Sequence, residues 1–201
     1  KLLGEEHPDY ASSIHCLGSV YYHMGNNYQK SEQYFLEAKG IREKTIGTEH
    51  MDYTWTLHGL GFVYHFTGNH DMAENCFLKI LEIREKILGK GHTFYASALN
   101  NLGIIYAAKG QYDKAIQYYS ENASITEKTN GKEHLNYTAA IINLGAVYIN
   151  TGNLEKAESL LLESKRILEL LPEFSKIPAY MSCMEFLGIL YYKTSDFSKS
   201  E

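Results

Sequence analysis

The sequence predicts an all-α fold, a solenoid of antiparallel helix hairpins, and three observations carry that prediction. Leu-Gly-x-x-Tyr recurs at Leu17-Gly18/Tyr21, Leu60-Gly61/Tyr64, Leu102-Gly103/Tyr106, Leu144-Gly145/Tyr148 and Leu187-Gly188/Tyr191. The motif glycines stand 43, 42, 42 and 43 residues apart, a register that only stacked copies of one unit produce. Each period also holds two amphipathic stretches. In the third period Leu99, Leu102 and Tyr106 share one helical face, and a second helix is predicted over Asp113–Glu127, with Ala115 and Tyr119 one turn apart.

Gly110 separates these two helices, because glycine readily takes the left-handed conformation of a helix end. Gly103 lies inside the first helix, where it costs roughly 1 kcal/mol relative to alanine. Close approach of the paired helix, across from Ala115, is the expected compensation, with Tyr106 wedged beside it.

Five repeats follow in order: 4–43, 44–85, 86–127, 128–169 and a truncated 170–201, about four full copies with partial ends in a single array spanning 1–201. The first helix opens near His7-Pro8-Asp9-Tyr10, proline suiting a first turn whose amide has no partner. The Gly25-Asn26-Asn27 turn is one residue longer than its counterparts. Leu170–Ile177 breaks the pattern with Pro172, and Pro178 is expected to restart the helix. Lys1-Leu2-Leu3-Gly4 aligns with the tails of later second helices, and Glu201 aligns with Glu158, early in one. Both ends therefore read as cuts through a longer array.

A hydrophobic fraction of 44% with 21% charged residues is that of a soluble folded chain. Most of the 17 tyrosines fall at repeated positions and read as helix packing. The net charge of −5, with no Lys/Arg stripe on the first helices, argues against nucleic acid. Cys16, Cys76 and Cys183 are an odd, scattered set that fits free thiols in a reducing compartment, with Cys76 expected in the core. No apolar run approaches the roughly 18 residues of a membrane span and no signal peptide opens the chain, so the cytoplasm is the expected location, away from membrane.

Leu-Gly-x2-Tyr followed by Ala-x3-Phe resembles the tetratricopeptide signature. Ala73-x3-Phe77 matches it outright; Ala115-x3-Tyr119, Ala157-x3-Leu161 and Ser31-x3-Phe35 are close variants. The long period, its joint at Ile41–His50 and Ile83–His92, and Leu99–Gly103 resemble the kinesin-light-chain type of this repeat. The resemblance implies a right-handed superhelix and a protein- or peptide-binding array. Repeats of this type also occur beside nucleotide-binding switches, caspase-like CHAT proteases and kinases.

Catalytic chemistry is not visible. No P-loop, nucleophile elbow or Cys/His pairing motif occurs, and no cofactor is implied. His7, His50, His92 and His134 hold one repeated position. Helices packed ~8–10 Å apart cannot bring one histidine per repeat to zinc–nitrogen bonds of ~2.1 Å, so a structural role at the joint is expected and no metal site. Arg42-Glu43-Lys44 and Arg84-Glu85-Lys86 read as solvated helix ends.

The expected functional surface is the concave groove that first helices line in such arrays. Counting from the motif glycine places His15, Cys16, Ser19 and Tyr22 there, then His58, Gly59, Phe62 and His65, with Trp55 at an edge. Asn100, Asn101, Ile104 and Ala107 follow in repeat three. Repeat four gives Ile142, Asn143, Ala146 and Ile149 with Asn150 at an edge, and repeat five Glu185, Phe186, Ile189 and Tyr192. Asparagine there can pair with the backbone of an extended ligand, since its amide both donates and accepts. Three functions stay open: a module binding a protein or peptide ligand, the sensor or regulatory arm of a larger enzyme or switch, and a self-associating scaffold built on Leu160–Leu171. The oligomeric state is open as well.

Overall fold

The computed structural model describes residues 4, 7–25 and 27–194. The expectations for Lys1–Leu3, Asn26 and Glu201 fall outside these residues. Among the described residues the structure is helical throughout: α1 (Pro8–His23), α2 (Tyr28–Thr45), α3 (Met51–Phe66), α4 (His70–Leu88), α5 (Thr93–Ala108), α6 (Tyr112–Asn130), α7 (Leu135–Asn150), α8 (Leu154–Glu169) and α9 (Pro178–Lys193). Successive helices pair as hairpins, α1 with α2, α3 with α4, α5 with α6 and α7 with α8. They fall into two compact units that divide after Lys90, the first holding α1–α4 and the second α5–α9.

The repeated histidines are helix caps. His7, His50, His92 and His134 each precede a first helix in extended conformation, and each Nδ1 accepts a 3.1 Å hydrogen bond from the backbone N–H two residues on. An otherwise orphan helix-start donor is satisfied in each case. Second helices start differently: Asn27 caps α2 through Lys30 N–H, whereas Asn69, Gln111 and Asn153 make no side-chain cap bond. Gly110 ends α5 at φ 70°, as the turn between the helices requires.

Four motif glycines, Gly18, Gly61, Gly103 and Gly145, are close-approach points, and what they approach most nearly is the last residue of the Ala-x3-Phe element rather than its alanine, whereas a Cβ on Gly188 meets nothing within 4 Å. A Cβ added to Gly103 would stand 2.5–2.7 Å from the Tyr119 ring, and one on Gly61 2.7 Å from Phe77. In repeat one the partner is Phe35, and in repeat four Leu161. Tyr106 stacks on Tyr118 at 5.3 Å.

The first unit buries Leu57, Leu60, Val63, Phe77 and Ile80, and α2 packs on both α1 and α3. In the second unit Ile142, Ile149, Leu161 and Leu168 form a core with Cys183, Leu187 and Leu190 of α9. A smaller cluster joins Ala123 of α6 to Tyr137, Ala140 and Ile141 of α7 and Ile167 of α8. The irregular link after α8 turns through Glu173, left-handed at φ 52°, into a 3-10 turn at Phe174–Lys176, and Pro178 opens α9.

Two expectations are corrected. Arg42 and Arg84 are buried, not solvated helix ends; only their neighbours Glu43, Lys44, Glu85 and Lys86 are exposed. Arg42 donates from Nη1 to the Asp52 carbonyl at 2.7 Å and to Thr56 Oγ1, and from Nη2 to Ser12 Oγ at 3.4 Å. It thereby stitches α2 to α1 and α3. The planar guanidinium offers donors to several acceptors at once, which is what makes its burial tolerable. Cys76, expected in the core, is half-buried, and burial raises its thiol to about 11.

Candidate functional site

In the first unit α1 and α3 form the walls of a pocket of about 320 Å³, floored by Phe35 of α2. His15, Ser19 and Tyr22 come from α1; Trp55, His58, Gly59 and Phe62 come from α3. The candidate residues His15, Ser19, Tyr22, Trp55, His58 and Phe62 thus meet in one place. His65 lies outside the lining, its ring 5.3 Å from that of His70.

Phe35 is the residue sequence reasoning missed, together with what Gly59 is for. The Phe35 ring fills the space of two absent side chains, that of Gly18 on α1 and that of Gly59 on α3. Glycine two residues before the motif glycine occurs in this repeat alone. That singularity was the available signal. His15 lies on the ring at 5.2 Å, while His58 meets Phe62 edge-on at 4.8 Å and Phe77 at 6.0 Å.

The imidazoles are neutral over a wide pH range. Burial lowers His15 to about 4, and the nearby Arg42 charge adds to the effect. Burial likewise lowers His58 to about 4, helped by Arg84 and His15. His15 Nδ1 is buried with no hydrogen-bond partner among the described residues. Trp55 stands at the rim with the Arg84 guanidinium 5.1 Å from its ring centroid. The pocket thus combines aromatic faces with polar imidazole atoms, a lining suited to an apolar or aromatic side chain with a hydrogen-bonding edge.

The second unit distributes its predicted residues differently. Asn100 lines a smaller polar pocket of about 180 Å³ with Ser97, Asn122, Thr126 and Asn136. Asn143 donates from Nδ2 to Asn100 Oδ1 at 2.9 Å, so the two amides bridge α7 and α5. Asn101 is 5% exposed, and its Nδ2 has no hydrogen-bond partner among the described residues. Ile142 and Ile149, expected at the groove, belong to the core. Ile104 and Ala146 are half-buried, Asn150 and Glu185 exposed, and Tyr192 is 71% exposed. Ile142 and Ile149, three before and four after the motif glycine, are covered by side chains of α8 and α9.

Among the described residues no three His, Cys, Asp or Glu side chains come together as a metal-binding group. No described helix is long and apolar enough to cross a membrane.

Comparison with known proteins agrees with this geometry. The tetratricopeptide repeat model matches residues 9–86, 54–121 and 94–170, and the chain belongs to that family. The solved structures it resembles include kinesin-light-chain-like repeat proteins. One is a single-substitution form of a Podosopora anserina protein described as a kinesin light chain with nearly identical TPR-like repeats. It is 23% identical with a TM-score of 0.81, over 96% of this chain and 91% of that one. BtubC (BKLC) from P. vanneervenii is 21% identical, with the same TM-score of 0.81, over 96% of this chain and 76% of that one. A signal transduction ATPase with numerous domains from Pyrococcus horikoshii, which carries a tetratricopeptide repeat sensor, is 20% identical with a TM-score of 0.78. That match covers 99% of this chain and 29% of the other. No curated protein sequence matches this one.

Proposed function

We propose that the chain is a non-catalytic protein-interaction module whose first helices hold an extended peptide segment of a partner protein, the repeats 4–43, 44–85, 86–127, 128–169 and 170–201 serving as one array. The observation that supports this most is the first unit's pocket. It is walled by two first helices, carries the partly exposed Trp55, and is lined by aromatic rings and imidazoles. An apolar or aromatic side chain of the partner fits this lining. Asn143 and Asn100, half-buried on α7 and α5, serve the partner's backbone in the second unit.

Trp55 is the sole tryptophan, so its fluorescence reports on the pocket directly. Peptides selected from a random extended library on the wild-type chain should quench or shift that emission saturably. Binding should weaken at least about tenfold in Phe62→Ser, a loss of about 1.4 kcal/mol. Selected peptides that bind Phe62→Ser and Asn143→Ala as tightly as wild type would refute the groove reading.

A second reading makes the array the sensor arm of a larger switch. It draws on the likeness to the Pyrococcus horikoshii ATPase, in which the repeat region is the sensor. A nucleotide-binding domain contiguous with this segment in the full-length protein would favour it.

A further inference from the structure

The polar pocket of the second unit occupies the place where the first unit keeps an arginine. Counted from the motif glycines, Arg42, Arg84, Thr126 and Leu168 are one repeated position. In repeat one Arg42 is 5% exposed and donates to Ser12 Oγ on α1 and to the Asp52 carbonyl on α3. The counterparts of Ser12 and Asp52 in the second unit are Ser97 on α5 and Asn136 on α7. Both line the pocket of about 180 Å³, and Thr126 lines it from α6. A single water needs only ~10–15 Å³ of such space. The room left by the missing side chain therefore fits a planar end group.

The lining points to the kind of group. Asn122 corresponds to Ala38 and Ile80 in the earlier repeats. It is 5% exposed and lines the pocket. Its backbone carbonyl is already used, accepting from Thr126 Oγ1 at 2.8 Å. Its carboxamide offers one acceptor and two donors to a group that enters the pocket. Asn100 Oδ1 and Ser97 Oγ add acceptors, and no lysine or arginine lines the pocket to repel a cation. Arg42 shows how side-chain hydroxyls and a backbone carbonyl hold a buried guanidinium in this fold, there with the Asp52 carboxylate favouring its charge.

We infer that the pocket between α5, α6 and α7 is a guanidinium site, filled by an arginine side chain of the partner segment in place of the arginine the repeat itself lacks. The pocket chemistry stands on its own; the source of the arginine rests on the peptide-binding reading above. Asn122 Oδ1, Asn100 Oδ1, Ser97 Oγ and the Asn136 carbonyl are the acceptors available to five N–H donors.

The test uses the whole chain and small probes. Ethylguanidinium should move the side-chain amide signals of Asn122 and Asn100 saturably in ¹⁵N–¹H spectra. It should bind about tenfold more tightly than ethylammonium or propionamide, which cannot present a fork of donors. Thr126→Arg should fill the pocket from within and abolish the response. Asn122→Leu, which restores an aliphatic residue like Ile80, should abolish it too and decides the matter if Thr126→Arg does not fold. No saturable shift, equal binding of the three probes, or a response that survives in Asn122→Leu would overturn the assignment. Peptides selected on the wild type should carry an arginine that selection on Asn122→Leu no longer enriches. The same arginine-free peptides emerging from both would overturn the partner-arginine source while leaving the groove reading intact, since that reading fails only on its own Phe62 and Asn143 variants.

Discussion

Gly59→Ala should destabilise the protein even though the substitution improves helix propensity. Removing a glycine from a helix interior is worth about 1 kcal/mol. At Gly59 the new methyl would stand 2.6 and 2.7 Å from Phe35 Cε1 and Cε2, and nearer still to Cζ. The ring cannot retreat, because Gly18 holds its other side with an equivalent gap of 2.9 Å. Overpacking of a fixed core ring costs about 1–3 kcal/mol, and a ring trapped on both sides lies at the upper end. The difference leaves a net loss of about 2 kcal/mol, or a fall of about 4–8 °C in melting temperature for a chain of this length. Gly40 is the control: it lies in α2, and a Cβ there meets nothing within 4 Å. Gly40→Ala should therefore gain about 1 kcal/mol. Urea unfolding of both variants, and of Gly59→Ala combined with Phe35→Leu, measures these terms. The double variant should show a coupling of about 2 kcal/mol because the smaller side chain vacates the clash. Equal stabilisation by Gly59→Ala and Gly40→Ala would refute the view that Gly59 exists to admit Phe35.

Other expectations follow from the same contacts. His134→Ala should cost about 1 kcal/mol in chemical unfolding by removing the acceptor for Asn136 N–H, whereas His134→Asp should retain most of the stability, since aspartate also caps. His58 binds its proton less readily folded, at about 4, than in the unfolded chain near 6.5. Between those values the unfolded state holds more protons, so stability is full above pH 6.5 and drains as the pH falls towards 4, by about 3 kcal/mol from this residue. Unfolding titrations of wild type against His58→Leu across that window should differ in slope, with Arg84 and His15 the charged groups acting on the wild-type ring. Arg42→Met should lose about 2–3 kcal/mol by leaving the Asp52 carbonyl and Thr56 hydroxyl without their shared donor, read as a lowered urea midpoint.

The hairpins were legible because their signals are local and repeated. Leu-Gly-x-x-Tyr fixes a face and a contact glycine in each period, and five copies in register leave no alternative fold. Counting from those glycines also gathered His15, Ser19, Tyr22, His58 and Phe62, which share one pocket in the first unit with Trp55, expected at an edge. The burial of Ile142, Ile149 and Asn101 was not legible in that counting, which gives direction along a helix and not what neighbouring helices cover. Arg42 misled for a related reason. A guanidinium at a helix end beside Glu43 and Lys44 looks solvated in one dimension, and only the opposing Ser12, Asp52 and Thr56 make it a buried hub. Phe35 was invisible as a pocket floor because its role depends on two glycines, one before it in the chain and one after.

The arginine stitch bears on how freely such hairpins can be recombined. A repeat array invites cutting and reinsertion of single modules, as though each joint were a standard connector. Here the connector is written half in one module and half in the next. Arg42 needs Thr56 across the joint, whereas the residue in that place on α7 is Ala140. A chimera that put repeat one directly before repeat four would aim a guanidinium at a methyl. Grafting between these repeats therefore has to move the joint as a pair, the tail of one hairpin together with the opening helix that follows it.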